Sequence, residues 1–132
     1  MGYYNRIQNR KRSEATEQER LISWASWQQN RFPELKLLFH IPNGGSRNTL
    51  EAANLKRQGV KAGVPDLFLP VAKGTYHGLF IEMKWGKNTV TDKQDEWLHD
   101  LTVQGYKAAV CYGADEAIEI ITNYLTNGGQ PE

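Results

Sequence analysis

The chain has 132 residues, 39% of them hydrophobic and 23% charged, with five prolines and twelve glycines; that is the make-up of one small globular domain with its own core, not of a disordered segment. A single cysteine, Cys111, excludes an internal disulfide framework and a cysteine-rich zinc site, and with no apolar run near the length of a membrane span and no signal-peptide core at the start, a soluble cytoplasmic protein without a membrane partner is expected. The net charge of +1 offers no global basic field for a polyanion.

That neutral total conceals an uneven distribution. Residues 1–12 carry four bases and no acid; residues 13–40 hold three bases against four acids; residues 41–65 hold four bases against Glu51; from Asp66 onward five lysines face ten acids. Two basic segments are therefore offset by an acidic second half, and such segments can present a positive face to phosphate or be ordinary solvated surface. The expected organisation is a basic arm over residues 1–12, one domain over 13–126 and a Gly-rich tail over 127–132.

In chain order, Thr16-Glu17-Gln18-Glu19 has the form of a capping box, and Leu21, Ile22, Trp24 and Ala25 follow at helical spacing, which predicts a helix over residues 14–29 with Glu17, Leu21 and Trp24 on one face. Pro33 interrupts, and the apolar run over 35–41 predicts a strand ended by Pro42 and Asn43-Gly44-Gly45. A helix over 48–58 stops at Gly59. Strand patterns over 66–71 and 78–85 flank a turn at Lys73-Gly74 and predict a hairpin. Thr91-Asp92-Lys93-Gln94 is a capping box opening a helix with Trp97, Leu98 and Leu101 turned inward, ended by Gly105. A strand over 106–112 and an amphipathic helix over 115–125 complete an α/β domain, a mixed sheet flanked by helices.

The hairpin concentrates the chemistry. Alternation along 79–84 puts Leu79, Ile81 and Met83 on one face and Phe80, Glu82 and Lys84 on the other. A hairpin centred on Gly74 sets Asp66 opposite Glu82, with Cβ atoms about 4.5–5.5 Å apart. Two carboxylates that close repel unless a proton or cation intervenes, and hard oxygen donors without histidine or thiolate suit Mg²⁺ or Mn²⁺. Lys84 beside them is placed to orient an attacking water or to stabilise negative charge in a phosphorane-like transition state. The alternative is an exposed, salt-bridged strand face. Glu34-Leu35-Lys36 is a second acid-x-Lys triplet, but it precedes Pro65-Asp66 and has no acid opposite it.

Pro65-Asp66 followed by Glu82-Met83-Lys84 resembles the PD-(D/E)xK nuclease signature. With Pro42-Asn43-Gly44-Gly45, the segment over 59–67, Gly78 to Lys84, Gln94 within 91–97, and Gly105-Tyr106, the chain resembles the VRR-NUC family across about residues 14–125. The resemblance implies a restriction-endonuclease-like core and a Mg²⁺- or Mn²⁺-dependent DNA endonuclease. It further implies a homodimer acting on branched, Holliday-junction-like DNA. It assigns Asp66 and Glu82 to metal binding with the Met83 carbonyl beside them, makes Lys84 catalytic, and offers Gln94 as an active-site glutamine, which its capping-box position equally explains as a helix cap. It also offers Glu17 as a metal-binding acid on the first helix; an unpaired carboxylate on that inward face needs a cation, whereas a first-turn glutamate also suits the helix dipole.

Arg47, Lys56, Arg57 and Lys61 are the candidate DNA contacts, with backbone N–H groups of Asn43-Gly44-Gly45-Ser46 able to approach phosphate. His40 and His77 lack a second ligand at metal spacing and read as structural; Cys111 reads as a small core residue. Trp24, Trp27, Trp85 and Trp97 read as core, with an interface role if exposed. A sequence-reading restriction-type nuclease and a catalytically idle DNA-binding module are the alternatives.

Overall fold

The structure, a computed structural model, describes residues 11–42 and 48–130. Four strands, β1 (Phe39–His40), β2 (Leu67–Leu69), β3 (Leu79–Lys84) and β4 (Lys107–Tyr112), form one sheet in the order β1-β2-β3-β4. The first three run antiparallel and β4 pairs parallel to β3. Helices α1 (Glu14–Trp27), α2 (Thr49–Arg57), α3 (Asp92–Val103) and α4 (Ala114–Asn127) surround it. The α/β class and the mixed sheet are thus as expected, and α3 supplies the crossover that a parallel β3–β4 pair requires.

One face of the sheet carries the core. Leu67, Leu69, Leu79 and Ile81 are fully buried with Met83 and Cys111 against Leu21 and Ala25 of α1 and Ala117, Ile121, Tyr124 and Leu125 of α4. Each large side chain so buried contributes roughly 1.5–3 kcal/mol. On the other face Phe68 stacks on Phe80 with centroids 4.1 Å apart, and Tyr106 meets both rings edge-on. Every residue of β3 is buried, because this central strand is covered on both faces. Among the described residues no helix is long and apolar enough to cross a membrane.

Three expectations need correction. The cap of α1 is Ser13, not Thr16: Ser13 has extended backbone, its hydroxyl accepts the Thr16 N–H, and Thr16 returns a bond to the Ser13 N–H. The run over 35–41 is mostly not strand; Pro33 opens a 3₁₀ turn over Pro33–Leu37, leaving Phe39–His40 to pair with β2. An apolar run alone does not separate these conformations. Finally, α3 buries no residue fully, so Trp97, Leu98 and Leu101 are only half-covered.

Candidate active site

The β2–β3 register pairs Leu67 with Ile81, Phe68 with Phe80 and Leu69 with Leu79. Continued by one residue it sets Asp66 against Glu82. Asp66 is fixed from both ends: Oδ2 accepts the Met83 N–H at 2.8 Å, and its carbonyl accepts the Ile41 N–H at 2.7 Å and lies 2.8 Å from His40 Nδ1. Glu82 and Lys84 point to the face opposite the main core, as alternation requires. They are 2% and 5% exposed, with Lys84 Nζ 3.8 Å from Glu82 Oε2.

Glu82 is the electrostatic centre of this group. Burial, then the charge of Asp66 and a hydrogen bond to it, push its carboxyl up to about 8, with Glu14 adding to the rise and the Lys84 ammonium opposing it. Its Oε1 is buried with no hydrogen-bond partner among the described residues. An unpartnered buried carboxylate oxygen beside a second carboxylate is costly unless a proton or cation neutralises the pair. The donors are hard oxygens, so the residues fit a Mg²⁺- or Mn²⁺-sized ion. Among the described residues no group of three or more His, Cys, Asp and Glu side chains forms a ready-made cage. The arrangement is a carboxylate pair with a lysine.

Glu17, on the first helix, has a different task. Glu17 is fully buried, and its oxygens accept hydrogen bonds from Arg12 Nη2 at 2.9 Å, Arg12 Nε at 3.1 Å, Arg20 Nη1 at 3.1 Å and the Ala114 N–H at 3.0 Å. Burial pushes its carboxyl up, but the bonds from Arg12, Ala114 and Arg20 outweigh that and hold it down at about 2. Arg12 also lies 3.9 Å over the Trp85 ring, a cation–π contact. The neighbouring Gly113 has φ +95°, and a Cβ there would come within 3.0 Å of Trp85 and 3.1 Å of Glu17 Oε1. Glu17 is therefore the tie between α1 and the start of α4. Among the described residues its positive partners are two arginines, Arg12 and Arg20.

Sequence reasoning missed Glu14. Its charge reaches Glu82, and Asn88 Nδ2 donates a hydrogen bond to Glu14 Oε2. The Asn88 carbonyl is in turn held by the Tyr112 hydroxyl at 2.8 Å.

The VRR-NUC domain model matches residues 4–115. The chain belongs to the VRR-NUC family, a family of nucleases. A solved structure described as a VRR-NUC domain protein is 36% identical, is covered over 89% of its length by 87% of this chain, and aligns with a TM-score of 0.74. A comparison with curated proteins finds no match. The VRR-NUC match encloses Glu14, Asp66, Glu82, Lys84 and Gln94.

Gln94 caps α3: its Oε1 accepts the Thr91 N–H at 3.0 Å while its own N–H donates to Thr91 Oγ1 at 3.2 Å. Among the described residues no hydrogen bond joins it to Asp66, Glu82 or Lys84. Met83 gives its backbone amide to Asp66 and its side chain to the core. Lys56 and Arg57 end α2 and are exposed, as is Lys61; Arg57 donates to Asn54 Oδ1. Arg47 and the loop over 43–47 lie outside the described residues, as does the basic arm up to residue 10. Of the tryptophans, Trp24 packs against the core, whereas Trp27 is 76% exposed.

Proposed function

We propose that this VRR-NUC chain is a Mg²⁺- or Mn²⁺-dependent DNA endonuclease that acts as a homodimer on branched, Holliday-junction-like DNA. The observation that carries the reading is the Asp66–Glu82 pair, in which Glu82 is buried with an unpartnered Oε1 and Lys84 lies beside it. Asp66, Glu82 and the Met83 carbonyl would hold the cation, with Glu14 near enough to add its charge. When bound, the cation supplies Lewis-acid polarisation of a phosphate oxygen and a lowered pKa for water.

The chain's own residues supply the rest. The Lys84 ammonium, held by Glu82, offsets the negative charge that builds on the phosphoryl oxygens as water attacks phosphorus. The phosphorus–oxygen bond to the leaving sugar breaks, and that oxygen takes up a proton. The Ile41 and Met83 amides fix Asp66, so little reorganisation is needed when substrate arrives. Gln94, in the first turn of the helix that follows β3, would serve as an active-site glutamine as well as capping α3. Lys56, Arg57, Lys61 and Arg47 supply charge toward phosphate. Exposed Trp27, beside Trp24 and Ile118, gives a second copy an apolar surface to cover.

The test uses purified protein with Mg²⁺ or Mn²⁺ on duplex, flap, fork and four-way-junction DNA, beside Lys84→Ala. Paired symmetric nicks in the junction are expected, with Lys84→Ala inactive. Fixed cut sites in linear duplex indicate a restriction-type enzyme instead. No cleavage at all, or equal cleavage by the variant, rejects the mechanism and leaves a binding module.

A further inference from the structure

We infer that the groove between α2 and α3 is a channel for an unpaired DNA strand leading to the carboxylate pair, an inference that rests on the nuclease reading above. Helix α2 has no buried residue, and Leu50 on it is 71% exposed. The connection from α2 to β2 is pinned at Gly63, with φ +92°, where a Cβ would stand 2.9 Å from the Lys93 carbonyl carbon and oxygen. This close backbone approach joins the connection to the first turn of α3 and leaves a groove of about 730 Å³ between the two helices.

Lys56 and Lys61 line one wall, and Lys93 and Trp97 line the other with Glu96 and Asp100. Among the described residues none of the three lysines is ion-paired. Three ammonium groups beside an indole match a ligand that alternates phosphates with flat faces, and a base can stack on such an aromatic while lysines follow the backbone. The two carboxylates disfavour a dense polyanion but accept hydrogen bonds from exocyclic amino groups of exposed bases. Bases are available in that way when a strand is unpaired. Position supports the same ligand: Ala62, which lines the groove, stands four residues before Asp66, so the two are at most about 14 Å apart along the chain. A strand laid in the groove would come close to Asp66, and the inferred substrate is branched DNA with a strand unpaired at the branch point beside the cut.

The experiment measures binding of the full chain to dye-labelled blunt duplex and to the same duplex with a single-stranded tail. Fluorescence anisotropy is read in Ca²⁺, over a range of salt. The wild type is expected to prefer the tailed substrate. The triple variant Lys56→Ala/Lys61→Ala/Lys93→Ala is expected to lose at least about tenfold in affinity for it and to flatten the log–log salt dependence by about 2, near 0.7 for each lost phosphate contact. Trp97→Ala is expected to lose about 5- to 100-fold on the tailed substrate alone, with Trp97→Phe restoring most of it. Wild-type affinity and salt slope in the triple variant, or a Trp97→Ala loss equal on blunt and tailed DNA, overturns the channel. Since binding is read without cleavage, a protein that binds through the groove but never cuts overturns the nuclease reading alone. A protein that cuts but binds independently of the groove overturns this inference alone.

Discussion

The Lys84 ammonium stands 3.8 Å from Glu82 Oε2 on a strand buried along its whole length. A lysine in that position is held there by the carboxylate, and removing it leaves Glu82 with less to oppose burial and Asp66. Lys84→Met is expected to fold, since a methionine fills similar space. Its cleavage rate should fall about 10²- to 10³-fold, the loss typical for one donor to a developing anion. Circular dichroism and single-turnover cleavage on the same preparation check this.

Glu82 predicts a pH dependence of stability. Its carboxyl, ordinarily near 4.5, is raised to about 8 in the fold. The folded state therefore holds a proton that the unfolded chain releases, and the contribution is complete below about 4.5 and lost as pH rises through about 8. Glu82→Gln should remove that slope and stabilise the metal-free protein above pH 8 by roughly 1–3 kcal/mol, because no negative charge is then buried beside Asp66. It should also abolish cleavage. Urea unfolding in chelator at pH 6 and pH 9 measures the difference, and a variant with an unchanged slope contradicts the assignment.

Glu14 and Glu17 of α1 should separate by phenotype. Glu17, held down at about 2, stabilises the fold above about 4.5, and that contribution is lost as pH falls toward 2. Glu17→Ala is expected to cost about 2–4 kcal/mol, because it strands the Arg20 charge and the Ala114 N–H, and to remove the acid sensitivity over that window. Glu14→Gln, in contrast, should leave stability nearly unchanged and slow cleavage. Thermal melts at pH 3, 5 and 7 alongside cleavage rates distinguish the pair.

Gly113→Ala tests how the start of α4 supports β3. The Gly113 N–H donates to the Lys84 carbonyl at 3.0 Å, and an added Cβ crowds Trp85 and Glu17 at a backbone angle that side chains rarely adopt. A loss of about 1–3 kcal/mol is expected, with cleavage reduced more than stability alone explains. Melting temperature and cleavage below the melt report the two effects.

Much of this site was legible because strand and hairpin rules are periodic. The Lys73-Gly74 turn set the register, and register alone put Asp66 against Glu82. Alternation then placed Lys84 on the face of Glu82. Helix termini were less legible: the Thr16-x-x-Glu19 pattern reads as a capping box, whereas the cap is Ser13, and Glu14 drew no attention beside Glu17. What tied Glu17 elsewhere was Arg12, in a segment that reads from sequence as a loose basic arm, and the Ala114 amide, 97 residues away. The groove between α2 and α3 was illegible for a related reason: it depends on the contact of Gly63 with the Lys93 backbone, which no local pattern announces.

The central claim is that Asp66 and Glu82 together hold a divalent cation, and calorimetric titration of Mn²⁺ into the protein near pH 7, in two buffers of different ionisation enthalpy, tests it most directly. Because Glu82 carries a proton below about 8, the account predicts saturable Mn²⁺ binding with proton release, seen as a buffer-dependent heat, and its disappearance in Asp66→Asn/Glu82→Gln. Absence of Mn²⁺ binding by the wild type, or equal binding by the double variant, would contradict it.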